Sequence, residues 1–159
     1  MQTGLYVLVK WVVCSPVKIK GSKISIPDYF WKSPISNVES ETGQSFGLYT
    51  VNKNLNSNNL SISNVKGREF SSAIATTNTT LNVDNLQIYN PSTLNKSSEK
   101  RHLAIYSKNS SINVKEAIID GDIIANNSNL KLGKPSTNSK IHSDLFALNN
   151  SVINIDLNI

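Results

Sequence analysis

The sequence predicts an all-β chain folded as a single-stranded parallel β-helix, or β-solenoid, of about five coils of roughly 18–23 residues. Three observations predict it. A hexamer ending in Asn recurs five times, an apolar-polar-apolar triplet follows each copy, and no segment sustains apolar residues at helical spacing.

The hexamers are GLYTVN (47–52), AIATTN (73–78), AIYSKN (104–109), DIIANN (122–127) and DLFALN (144–149). Their second residue is a large aliphatic: Leu48, Ile74, Ile105, Ile123, Leu145. The fourth is small (Thr50, Thr76, Ser107, Ala125, Ala147), and the sixth is Asn52, Asn78, Asn109, Asn127 or Asn149. Stacked one strand spacing apart, about 4.8 Å, the aliphatics would form an inward column. The asparagines would form a structural ladder at a corner, because Asn tolerates left-handed backbone and its amide can bond to copies above and below.

The triplets are LSI (60–62), LNV (81–83), INV (112–114), LKL (130–132) and INI (153–155), with first residues 21, 31, 18 and 23 apart. Period two with β-branched residues is the strand signal. The long interval holds YNPSTLNKSSEKR, whose Pro, Ser and charge content marks an outward loop at about 89–101. Residues 46–159 form the predicted β-helix. Residues 1–45 form a flank, a cap or degenerate coil, in which VKIKGSKISIP alternates like a strand.

Composition fits one domain of 159 residues with 38% apolar and only 17% charged residues, rich in Asn and Ser. The net charge of +5 is scattered, its densest groups being Lys18, Lys20, Lys23 and Lys96, Lys100, Arg101. No aromatic residues interleave these to stack bases, so no nucleic-acid partner is expected. The single Cys14 excludes an internal disulfide and a Cys-based metal cluster. The apolar run from Leu5 to Val13, broken by Lys10, is too short to span a membrane and follows no basic region, so it is a buried strand unless a leader is missing.

SFGLYTVN, HLAIYSKN and NSSINV, followed by GDIIANNSNLKL, resemble the passenger domains of pertactin-like bacterial autotransporters. The likeness covers roughly residues 46–157 and rests on recurrence in order. It implies a right-handed parallel β-helix on a surface-exposed or secreted bacterial protein, acting in adhesion or virulence. The implied partners are a host surface protein or glycan and, on a longer chain, an outer-membrane β-barrel translocator. The likeness points to a piece of a longer passenger.

Candidate chemistry is sparse. Asp120 and Asp122 could serve a β-helical carbohydrate-active enzyme, a polysaccharide lyase or hydrolase, as acid and base; the alternative is a turn built on Gly121. His102 and His142 lack metal-ligating partners, and no cofactor is expected. Tyr49, Tyr106 and Phe146 hold the third hexamer position and should face outward as a surface contact, although Ala75 and Ile124 share that place. The glycosylation-type tripeptides NTT (78–80), NSS (109–111) and NNS (126–128) arise from composition, and KGREF (66–70) reads as a loop. The expected role is therefore a non-enzymatic adhesive or structural stalk. A fibre protein is a third possibility, recognisable by obligate trimers.

Overall fold

A computed structural model describes residues 6–7, 24–25, 35–40, 44–67, 69–90, 101–133 and 139–156. Among them every regular element is a β-strand. In chain order these are β1 (Tyr6–Val7), β2 (Ile24–Ser25), β3 (Ile35–Ser40), β4 (Gln44–Val51), β5 (Asn54–Gly67), β6 (Phe70–Thr77) and β7 (Thr80–Tyr89). Then follow β8 (Arg101–Lys108), β9 (Ser111–Asp120), β10 (Asp122–Asn126), β11 (Asn129–Leu132), β12 (Lys140–His142), β13 (Leu145–Leu148) and β14 (Val152–Ile155).

Two sheets result, in the orders β1-β4-β6-β8-β10-β13 and β14-β11-β9-β7-β5-β2, with β3 and β12 joining the second. All pairings are parallel except that of β1, which runs antiparallel to β4. Each hexamer contributes one strand to the first sheet and the segment after it one strand to the second, or two, β11 and β12, after the fourth hexamer. This alternation is compatible with a β-solenoid.

The core lies between the sheets as columns of like residues. Leu48, Ile74, Ile105 and Ile123 stack in register and are fully buried. Opposite them Leu55, Leu81, Ile112, Leu130 and Ile153 stack on the second sheet. Removing four such side chains from water stabilises by roughly 1.5–3 kcal/mol each. The small fourth position is buried in the first four hexamers (Thr50, Thr76, Ser107, Ala125) and exposed at Ala147, and Thr76 Oγ1 donates to Ser107 Oγ at 3.2 Å. A hydroxyl inside the core is thus given a partner by the same residue one repeat away.

Three details differ from the expected register. The triplet LSI (60–62) does not lie on LNV (81–83): Leu55, Asn56 and Ser57 do, while Leu60 and Ile62 meet Leu86 and Ile88. The first offset is therefore 26 residues, and Ser57 takes an apolar position, its Oγ bonding to Asn59 O. Second, Asp122 pairs with Leu103 instead of Ala104 through a register shift before Ile123. Ala104 is fully buried, and a carboxylate there would be stranded in the core. Third, the ends of the expected 89–101 loop are structured: Tyr89 closes β7, Asn90 is buried and Arg101 opens β8. Residues 91–100 lie outside the described residues, as do Cys14 and the opening apolar run apart from Tyr6–Val7. The parallel stack also reaches back before residue 46, since Ile35 and Val38 of β3 pair with Ile62 and Val65 and are buried.

Candidate binding surface

The corner after each hexamer is built from Asn and a following hydroxyl. Asn52, Asn78, Asn109, Asn127 and Asn149 all adopt left-handed backbone, φ 49–56°. A β-carbon in that conformation costs most residues about 1–2 kcal/mol, and Asn less because its amide bonds locally. The amides also bond between repeats: Asn78 Nδ2 to Asn52 Oδ1 at 3.0 Å and Asn127 Nδ2 to Asn109 Oδ1 at 2.9 Å. At the last corner two residues, Asn149 and Asn150, are left-handed, and Asn149 Nδ2 meets Asn126 Oδ1 instead.

The next residue is the second rung. Thr79 N donates to Ser110 Oγ at 3.1 Å, Ser110 N to Ser128 Oγ at 3.1 Å, and Ser128 N to Ser151 Oγ at 3.0 Å. Ser110 and Ser128 return their hydroxyl protons to Lys108 O and Asn126 O. The first two residues of NTT and NSS therefore have a structural cause: this corner places Asn and then a buried hydroxyl, Thr79 or Ser110, in sequence order.

A second corner escapes the hexamer reading. Ile35-Ser36-Asn37, Ile62-Ser63-Asn64, Ile88-Tyr89-Asn90, Ile119-Asp120-Gly121 and Ile141-His142-Ser143 follow one another up the stack. Asn37, Asn64 and Gly121 have positive φ, at 54°, 52° and 134°. Asn90 turns inward: its Oδ1 accepts from Val65 N and its Nδ2 donates to Leu103 O, both at 2.9 Å. The signal that finds this corner is Ile-x-Asn recurring at the hexamer's own interval.

Asp120 and Asp122 flank this corner and are engaged separately. Asp120 Oδ1 lies 3.2 Å from Nδ1 of the highly exposed His142, and Asp122 Oδ1 accepts from Asp144 N at 3.4 Å. Gly121 between them could not carry a side chain, for a β-carbon there would come within 2.3 Å of Asn90 O. His102 bonds instead to Ser71 Oγ at 2.5 Å. Among the described residues no group of three or more His, Cys, Asp and Glu is gathered as a metal ion would require.

The outer face of the first sheet carries the aromatic residues. Tyr49, Ala75, Tyr106, Ile124 and Phe146 form one column. Phe46 stacks on Tyr49 with centroids 5.0 Å apart, lies 5.9 Å from Phe70, and Phe70 meets Tyr106 edge-on at 5.8 Å. Four partly buried rings thus form an arc around Ala75, whose methyl is almost covered. The arc borders a depression of about 500 Å³ with Gln44 and Thr77 at its polar margin. Phe146 stands apart, separated from Tyr106 by Ile124, and is nearly half exposed.

Phe46 and Phe70 are not apparent from sequence as partners of the tyrosines. In register Phe46 faces Ser72 and Phe70 faces Gln44, so these two rings meet along a diagonal, which long side chains can bridge, while Phe46 meets Tyr49 three residues along its own strand.

The arrangement defines an all-β protein of stacked repeats with a polar-bonded corner and one aromatic depression. No protein family, curated protein or solved structure matches the chain significantly.

Proposed function

We propose that the two sheets belong to one single-stranded right-handed parallel β-helix of about five coils. On that reading the chain is a segment of a surface-exposed or secreted bacterial autotransporter passenger, working as an adhesive or structural stalk. The observation that carries it is the inter-repeat ladder: Asn78 on Asn52, Asn127 on Asn109, and the hydroxyl relay from Thr79 to Ser151. Each repeat bonds to its immediate neighbours, so stability accumulates along one axis and the outer faces are left to contact other surfaces. A linear scaffold of this kind holds contact residues at fixed spacing, which suits multivalent adhesion.

The carbohydrate-active alternative gains no specific observation. Asp120 and Asp122 are each committed to a different local partner across a turn.

The test has two parts. Antibodies against the chain should label intact source bacteria, and beads coated with the purified chain should adhere to host cells above albumin-coated controls. Labelling only after lysis, or adhesion no greater than the control, would overturn the reading. Depolymerase activity lost in Asp120→Asn and Asp122→Asn would establish the enzyme instead.

A further inference from the structure

We propose that the aromatic depression around Ala75 is a binding site for one neutral saccharide ring or pair of rings. The proposal deepens the adhesive reading above by naming the chemistry its surface would grip.

The notch has a simple origin. Tyr49 and Tyr106 stand two strand spacings apart, about 9.6 Å along the stack, with only a methyl between them at Ala75. Had the column continued with a large residue, as it does at Ile124, the space would be filled. Phe46 and Phe70 close one side of the gap, and Gln44 and Thr77 leave polar groups at its edge. The result is about 500 Å³ of concave space walled by aromatic faces, within the size range of small-molecule sites.

Three properties select the ligand. Aromatic faces carry the negative part of the ring quadrupole and attract polarised C–H groups, which a pyranose presents in axial arrays on its faces. The Tyr106 hydroxyl, the Gln44 amide and the Thr77 hydroxyl can each donate and accept, matching the hydroxyls at a sugar's rim. Among the described residues no lining side chain is charged, although the chain carries a net +5, so a carboxylate or phosphate finds no counter-ion among them. An extended peptide is disfavoured for another reason. The floor strand β6 is bonded on one edge to β4 and on the other to β8, leaving no backbone edge on which a peptide strand could add.

The discriminating variant is Ala75→Ile. Ile124 already occupies the same column, so the substitution fills the notch with a residue the sheet accommodates two positions further along. The 159-residue chain is screened on an array of neutral and sialylated oligosaccharides. The strongest neutral binder is then titrated by calorimetry against the parent chain, Ala75→Ile and Tyr106→Ala, with circular dichroism confirming retained strand content. The expected result is binding of a neutral oligosaccharide by the parent and at least tenfold weakening in both variants. No saccharide binding, binding of sialylated glycans alone, or undiminished binding by a folded Ala75→Ile chain overturns the proposal. If parent and Ala75→Ile beads adhere to cells equally while no saccharide binds, the adhesive reading stands and only the saccharide site fails.

Discussion

Asn90 Oδ1 accepts the backbone N–H of Val65 at 2.9 Å across the second corner, and the same amide donates to Leu103 O on the first sheet. One side chain thereby satisfies two buried main-chain groups on different elements. Asn90→Leu should orphan both, each at about 1–3 kcal/mol. Urea denaturation followed by circular dichroism should show a loss of roughly 2–5 kcal/mol, and a loss below about 1 kcal/mol would show that Asn90 is dispensable.

At the first corner the backbone and amide contributions can be separated. Asn109→Ala loses the bond from Asn127 and forces a β-carbon into left-handed backbone, whereas Asn109→Gly loses only the bond. The alanine variant should be less stable than the glycine variant by about 1 kcal/mol. Equal stabilities by chemical denaturation would remove the conformational explanation.

Within the inward column, position along the stack should govern cost. Ile105 is fully buried between Ile74 and Ile123, while Leu145 is 43% exposed. Ile105→Ala should cost about 2–5 kcal/mol and Leu145→Ala under about half of that. Comparable losses in thermal melts of the two variants would contradict the packing described.

The turn at Gly121 supplies a contrast between backbone and charge. Gly121→Ala puts a β-carbon against Asn90 O with φ at 134°, and should destabilise by more than about 2 kcal/mol. Asp120→Asn removes only a pairing with highly exposed His142, and should change stability by less than about 1 kcal/mol. A reversed order in denaturation midpoints would mean that the carboxylate, not the glycine, organises this turn.

How much of this could be read from the chain depends on how strictly each position is constrained. The column Leu48, Ile74, Ile105, Ile123 is legible because a buried aliphatic under identical neighbours admits few substitutes. The triplet at 60–62 misleads because β5 runs through two inward-facing stretches, and Ser57 hides the first of them behind a hydroxyl. The second corner is obscure for a related reason. Its residues pass from Asn37 and Asn64 through inward-turned Asn90 to Gly121 and Ser143, so the common requirement for a turn survives while residue identity does not. At the aromatic surface Tyr49 and Tyr106 are visible in the hexamer. Their partners Phe46 and Phe70 lie outside the hexamers, and the contact between those two rings crosses a diagonal of the sheet that no linear repeat records.

Asn90 also marks where chain length ceases to matter to the repeats. The intervals between stacked corners run from 18 residues, Asn109 to Asn127, to 31, Asn78 to Asn109, yet from the second hexamer residue onward the strands keep register. Asn90 lies within the longest interval, directly after β7, and β8 begins at Arg101, so the anchoring described falls to residues before 91 and after 100. Loop closure becomes only slowly more costly with length. A foreign epitope or an entire small domain inserted between Asn90 and Arg101 should therefore leave the pairing of β7 and β8 with their neighbours intact.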